Sequence, residues 1–278
     1  MKPQIVDREV TLHILKTFHL HADKKMGQNF LISPSTLQTI VDAAGVGAGD
    51  TVLEVGPGIG TLTQGLAETG CQVVAVELDR RLLSVLDKTL EGYENVRIVH
   101  GDILKLDLVK TVGTPRFQLV ANLPYYITTP IILKMLEEHL PVDRLVTMVQ
   151  LEVAKRMVAK PGGKDYGALS VAVQYYSEPK IVAEVPPNSF YPAPTVTSAV
   201  IRCDVRRQPP VDITDEGLFF RIVKAAFGQR RKMLTNALRA TGATDIPAWL
   251  EKAGIDGNRR GETLSLQEFA VLTNSFQM

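Results

Sequence analysis

Asn122-Leu123-Pro124-Tyr125 is the stretch of this chain best equipped to do chemistry. An amine attached to a purine ring is a poor nucleophile, because its lone pair is delocalised into the ring. The Asn122 side-chain oxygen and the Leu123 backbone carbonyl are two acceptors that can hold both N–H groups of such an amine. They favour its pyramidal, more nucleophilic geometry and stabilise the positive charge that develops on attack. Pro124 stiffens the loop, and Tyr125 offers a flat face on which a base can stack. No general base is needed first, since the proton turns acidic only as the new bond to nitrogen forms. A plain polar turn uses the same residue types, so the tetrapeptide takes its meaning from what stands beside it.

What stands beside it is a nucleoside-binding pattern. Val52 to Thr61 reads as a strand, a glycine-rich turn at Gly56, Gly58 and Gly60, and the start of a helix. Glycines let the backbone take positive φ and approach a ligand closely. Glu77, 21 residues beyond Gly56, closes the next strand candidate and is followed by Leu78; a carboxylate there suits ribose hydroxyls. Asp102, followed by Ile103, closes the third. A dinucleotide loop would read Gly-x-Gly-x-x-Gly and seat a pyrophosphate at the helix N-terminus. This loop is one residue shorter and is preceded by Glu54, which would repel a pyrophosphate and suits an ammonium group. Three acids at successive strand ends fit S-adenosylmethionine, a phosphate-free cation. The tetrapeptide then has the (Asn/Asp/Ser)-x-Pro-(Tyr/Phe) form of methyltransferases that modify exocyclic amines.

These groups have to be positioned by a sheet. Strand patterns fall at Thr51–Val55, Gln72–Glu77, Val96–His100, Phe117–Asn122, Arg144–Val149, Lys180–Val185 and Ser198–Asp204. Helical patterns lie between them at Thr61–Glu68, Arg80–Thr89, Pro130–His139, Glu152–Ala159 and Ala168–Tyr176. The alternation predicts an α/β fold with a mostly parallel seven-stranded sheet, and the last two strands suggest an antiparallel edge. Arg8–Phe18 and Pro34–Ala44 form a helical N-terminal extension, residues 1–45, joined by Lys24 to Leu31. After the hinge Arg206 to Pro210 only helices are expected, at Leu218–Phe227, Lys232–Ala240, Ile246–Ala253 and Ser265–Asn274. The expected division is a catalytic domain over 1–207 and a small all-α domain over 208–278.

Composition narrows the class. The chain has 278 residues, 45% hydrophobic and 22% charged, as in a soluble globular protein, with no apolar run near membrane-spanning length. Its N-terminus lacks a signal-peptide core, so a cytoplasmic location is expected. Cys71 and Cys203 read as buried thiols, and the five histidines show no ligand spacing, so no metal is expected. Net charge is only +1, yet Arg202 to Arg239 carries nine Lys/Arg against four acids. Such a local excess can anchor phosphates.

Beyond this reading, the sequence resembles the small-subunit ribosomal RNA adenine N6,N6-dimethyltransferases, the kasugamycin-resistance methyltransferases. The similarity runs from about Lys24 into the C-terminal helices. It rests on Gly27-Gln28-Asn29-Phe30-Leu31, Glu54 to Thr63, Asn122 to Tyr125, Phe190-x-Pro192-x-Pro194-x-Val196-x-Ser198 and Phe227-x-x-Arg230-Arg231-Lys232. The resemblance implies a class I (Rossmann-like) methyltransferase fold, with Gln28, Asn29, Leu31 and Asn122 joining Gly56, Glu77 and Asp102 in the cofactor site and Phe190 closing on the target base opposite Tyr125. It implies dimethylation of two neighbouring adenines in the 3′-terminal hairpin loop of small-subunit rRNA, by a monomer acting on a small-subunit precursor during ribosome biogenesis. Arg221, Lys224, Arg230, Arg231 and Lys232 would hold RNA phosphates. The family's usual Asn after the tetrapeptide is Tyr126 here, which alters the pocket rim but not the acceptors. Two other readings stand beside it: a large-subunit rRNA methyltransferase of the macrolide-resistance type, and a ribosome-assembly factor that binds RNA without turnover. The Phe227 to Lys232 segment disfavours the first, and intact Glu77 and Asn122 disfavour the second.

Overall fold

The computed structural model describes residues 2–20 and 27–276, so Lys24, Lys25 and Met26 of the expected connection, and His21, lie outside the described residues. Packing divides the chain into two compact units: Met1–Ala154 with Glu178–Val205, and Lys155–Ser177 with Arg206–Met278.

The first unit is built on β-branched runs that bury both faces. Its elements are α1 (Arg8–Thr17), β1 (Phe30–Leu31), α2 (Pro34–Ala44), β2 (Thr51–Val55), α3 (Thr61–Ala67), β3 (Gln72–Glu77), α4 (Arg80–Thr89), β4 (Val96–His100), α5 (Leu108–Val112), β5 (Phe117–Asn122), α6 (Thr128–Glu137) and β6 (Val142–Gln150). α7 (Leu151–Met157) and α8 (Ala168–Tyr176) lead to β7 (Ser177–Val185), β8 (Phe190–Tyr191) and β9 (Ser198–Val205). Seven strands lie in the order β4-β3-β2-β5-β6-β9-β7. Pairing is parallel from β4 through β6, and β9 runs antiparallel to β6 from Arg144↔Asp204 to Gln150↔Ser198. The expected antiparallel element is therefore at this side of the sheet, with β9 inserted between β6 and β7. Val52, Leu53, Val73, Ala75, Leu119 and Val120 are buried, as strands covered on both faces require.

Strand order decides where a ligand can sit. β3 and β4 lie on one side of β2, while β5 and β6 lie on the other. The chain reverses direction of travel across the sheet between β2 and β5, which opens a crevice at their carboxyl ends. The glycine loop leaves β2 there, and the tetrapeptide leaves β5.

Two elements escaped the sequence reading. α5 is a single short helix, though Asp107 caps it by accepting Lys110 N at 3.1 Å and Gly113 ends it with φ of 78°. The other is a two-residue antiparallel ladder, β1 with β8, pairing Phe30↔Tyr191 and Leu31↔Phe190.

The second unit corrects the expected boundary at 207/208. Lys155–Ser177, assigned from its pattern to the catalytic domain, packs with the C-terminal helices. The cause is aromatic. The buried Tyr175 ring lies 5.1 Å from Phe219 and 5.4 Å from Phe220, and Tyr176 stacks on Phe220 at 5.5 Å. Both phenols donate to Glu216, at 3.2 and 2.6 Å. Such ring pairs add about 1 kcal/mol each beyond their buried area. The remaining elements are α9 (Glu216–Gly228), α10 (Leu234–Ala237), α11 (Ile246–Lys252) and α12 (Leu266–Ser275). The helix expected from Lys232 starts only at Leu234, and Arg230-Arg231-Lys232 form a turn instead. No helix of the described residues is long and apolar enough to cross a membrane.

Candidate active site

The loop after β2 is stitched to the end of β3. Gly56 and Gly58 take φ of 66° and 63°, which side chains with a Cβ resist. Gly56 N donates to the Val76 carbonyl at 2.9 Å, and Gly58 N donates to Glu77 Oε2 at 3.3 Å. Glu77 Oε1 accepts Asp79 N at 2.8 Å. Burial raises the pKa of Glu77, while these N–H groups pull it back. Gln28 ties the segment before β1 to the same corner, donating to Asp79 Oδ2 at 3.1 Å. Asp102 holds its own turn by accepting Leu104 N at 3.0 Å, with Lys105 Nζ at 3.3 Å.

Glu54, one residue before the end of β2, is only 1% exposed. Burial pushes its carboxyl up to about 8, against the pull of the Thr63 hydroxyl and with the Glu77 charge adding to the rise. Its Oε2 and the buried Thr61 hydroxyl have no hydrogen-bond partner among the described residues.

The tetrapeptide is anchored at both ends. Leu123 N donates to the Met148 carbonyl of β6 at 3.2 Å. The Pro124 carbonyl accepts Ile127 N at 3.2 Å and Thr128 Oγ1 at 3.1 Å, which starts the 3-10 turn Tyr125–Ile127 and then α6. The Asn122 amide donates from Nδ2 to the Asn29 carbonyl at 3.4 Å. Its nitrogen is thereby committed, and its oxygen remains the acceptor. The Tyr125 hydroxyl meets Ser198 Oγ at 2.6 Å, which fixes the plane of the ring. Tyr126, 53% exposed, stands at the rim.

One cavity collects most of the expected site. Gln28, Asn29, Leu31, Gly56, Gly58, Glu77, Leu78, Asp102, Ile103, Asn122, Leu123, Pro124 and Tyr125 all line it, together with Glu54, Thr61 and Tyr126. Thr61 was missed in the sequence, where nothing separates it from any other first residue of a helix. Among the described residues, the lining holds three carboxylates and neither lysine nor arginine. That donor-poor wall does not fit a pyrophosphate. It fits a cationic aminoacyl nucleoside, whose ammonium would satisfy the orphaned Glu54 and Thr61 oxygens.

Two expected residues are absent from the lining. Gly60 caps α3 with φ of 93°, and a Cβ there would lie 3.2 Å from the side chains of Leu90 and Thr89, so its smallness serves packing. Phe190 is 2% exposed and sits in the core with Leu31, Val185 and Val200, not facing the cavity. In β8 the alternation turns Phe190 inward and leaves Tyr191 40% exposed.

The five cations belong to the second unit. Arg221 and Lys224 are exposed on α9, and Arg231 and Lys232 are exposed in the turn after it. Arg230 is committed elsewhere: its Nη2 donates to the Lys164 and Tyr166 carbonyls at 2.7 and 3.3 Å, and Glu262 lies 3.7 Å away.

Comparison with known proteins agrees with this geometry. The family model for ribosomal RNA adenine dimethylase matches residues 19–278. The chain is 50% identical over 274 residues to ribosomal RNA small subunit methyltransferase A of Alkaliphilus oremlandii, covering 95% of each chain. It is 49% identical over 278 residues to the protein of the same name in Moorella thermoacetica, covering 96% of each. It is similar to the crystal structure of a dimethyladenosine transferase from Plasmodium falciparum, with TM-score 0.73 and 26% identity over 87% of this chain and 95% of that one. The 23S rRNA methyltransferase ErmE gives TM-score 0.68 and 27% identity over 89% of this chain and 99% of that one. A family match of that length, with half the residues shared across nearly the whole of its relatives, means that the chain belongs to the ribosomal RNA adenine dimethylases, class I enzymes that methylate adenine with S-adenosylmethionine.

Proposed function

We propose that this enzyme places two methyl groups on the N6 amine of each of two neighbouring adenines in the 3′-terminal hairpin loop of small-subunit rRNA. The observation that carries this reading is the state of Asn122. With Nδ2 held by the Asn29 carbonyl, the amide presents oxygen, not nitrogen, next to the Leu123 backbone.

S-adenosylmethionine, when bound, supplies an electrophilic methyl group on a cationic sulfur. Glu54 and Thr61 hold the ammonium end, Glu77 accepts from the ribose, and Leu78 and Ile103 supply apolar wall between the acids. Gln28, Asn29 and Leu31 complete the wall beside the glycine loop. Asn122 and Leu123 hold the N–H groups of a flipped adenine and stabilise the charge that builds on its nitrogen. Tyr125, its ring held by Ser198, is the stacking face. The proton released from N6 goes to water at the exposed rim, and no side chain has to remove it beforehand.

The exposed cations of the helical unit, Arg221, Lys224, Arg231 and Lys232, hold phosphates of the folded RNA, whereas Arg230 serves the fold. Two buried free cysteines suit the cytoplasm. The large-subunit reading is not favoured: the relatives that share half of this sequence carry small-subunit names.

Mass mapping of rRNA after incubating unmethylated small subunits with labelled cofactor tests the assignment. Two adjacent dimethylated adenines near the 3′ end are expected. Label confined to large-subunit rRNA in a parallel reaction would overturn it.

A further inference from the structure

Charge is divided between the two units far more sharply than the net +1 suggests. The first unit carries 16 Lys/Arg against 21 Asp/Glu, a net of −5, and the second carries 15 against nine, a net of +6. Four of those cations come from the stretch Lys155–Ser177 that the sequence pattern had assigned to the catalytic domain: Lys155 and Arg156 in the last turn of α7, and Lys160 and Lys164 in the loop between α7 and α8.

The loop carrying Lys160 and Lys164 is locked in place by its own backbone. Gly162 N donates to the Glu262 carbonyl at 2.7 Å, and Gly163 N donates to the Lys160 carbonyl at 3.3 Å. Gln174 Nε2 donates to the carbonyls of Met157 and Ala159 at 2.9 and 2.8 Å. Tyr166, 1% exposed, plugs the loop into the helical core with its ring 5.8 Å from Phe227. Arg230 then clasps the Lys164 and Tyr166 carbonyls, which sets this loop directly beside the turn that carries Arg231 and Lys232. Lys160, Lys164, Arg231 and Lys232 are all exposed, and no ion pair among the described residues takes up their charges. Asp165 is the one acid within the loop itself.

We infer that Lys160 and Lys164 form, with Arg231 and Lys232, a single pre-organised site for the phosphodiester backbone of structured RNA. Arg230 is its buckle, a positioning residue that touches no phosphate. This rests on the reading of the helical unit as the RNA-holding part. A fixed loop loses little conformational entropy on binding, and four cations at one place neutralise several phosphates at once. Because the contacts are to backbone, the site reads the shape of a folded RNA without reading its bases.

The test uses the full chain and unmethylated small ribosomal subunits, with affinity measured across a salt series. Lys160→Gln/Lys164→Gln is expected to weaken binding about 10-fold near 0.1 M salt and to lower the slope of log affinity against log salt by about 1 to 2. Lys160→Arg/Lys164→Arg is expected to keep both, and thermal unfolding of each variant should match the parent. If the Gln pair leaves the slope unchanged while Arg231→Gln/Lys232→Gln lowers it, the loop lies outside the footprint and only this inference falls. If neither pair alters the slope, the helical unit does not hold RNA phosphates, and the functional reading of that unit falls with it.

Discussion

The carboxyl edge of the sheet and the turn after α9 both gather ionisable groups, and they hold them in opposite ways. At the sheet edge Glu54 and Glu77 are 1% and 5% exposed, and Glu77 is pinned by two backbone N–H groups. After α9, Arg231 and Lys232 stand in solvent on a surface turn. A buried acid in a fixed frame selects one cationic ligand in one pose. Exposed cations give an attraction that is additive, tolerant of shape and screened by salt. The first arrangement suits a small cofactor and the second a large polyanion, so substitutions in the two regions should fail differently.

The largest effect is expected where the frame meets the reacting atom. Asn122→Ala should cut the rate of methyl transfer by roughly 100- to 1,000-fold, while calorimetry finds cofactor affinity little changed. Undiminished methylation by this variant would remove the role given to its oxygen.

Next comes the cost of burying Glu54. Its folded carboxyl titrates near 8, against 4.5 for the ordinary group, so between those values the folded chain keeps a proton that the unfolded chain has lost. Stability from this group therefore falls as pH rises through that window. Glu54→Gln cannot ionise, and its advantage over the parent should grow from pH 5 to pH 9 to the order of a few kcal/mol. Denaturation midpoints of both proteins at the two pH values measure this; an advantage that stays constant would contradict a carboxylate held against its own ionisation.

A smaller loss is expected for Glu77→Ala, roughly 10- to 100-fold in cofactor affinity, as for loss of a charged hydrogen-bond acceptor. Isothermal titration reads it directly, and unaltered affinity would rule out the ribose contact. The smallest single-site effects belong to the exposed turn. Arg231→Gln and Lys232→Gln should each lower the salt slope of RNA binding by about 1 and leave cofactor affinity alone. A base-specific change in target choice, with the slope intact, would erase the contrast between the two regions.

The same contrast explains what could be read from the residues alone. Apolar strands of five or six residues, closed by glycine, an acid or Asn122, announce both the sheet and its ligand edge. β2, β3, β4 and β5 accordingly stand at the expected residues. For α5 the caps Asp107 and Gly113 stand in the sequence, but the five residues between them are too few to show a helical period. The rest had no local signature. Two-residue strands have no periodicity, so neither the β1–β8 ladder nor the inward turn of Phe190 could be seen. Arg230 is indistinguishable in sequence from Arg231, and only the carbonyls of Lys164 and Tyr166 tell them apart. Tyr175-Tyr176 and Phe219-Phe220 were visible as aromatic pairs, but their contact spans more than 40 residues of chain.

The β1–β8 ladder also sets a schedule for the newly made protein. Phe30 and Leu31, which line the cavity, gain their strand partners only when Phe190 and Tyr191 exist, and Tyr125 waits longer still for Ser198. A nascent chain halted at residue 150 already possesses the glycines, the three acids and the tetrapeptide, yet its pocket has no finished wall. Non-local pairing of this kind forms late. The finished cavity wall thereby requires more than two thirds of the polypeptide, and a fragment that stops before Phe190 lacks the strand that pairs with Phe30 and Leu31.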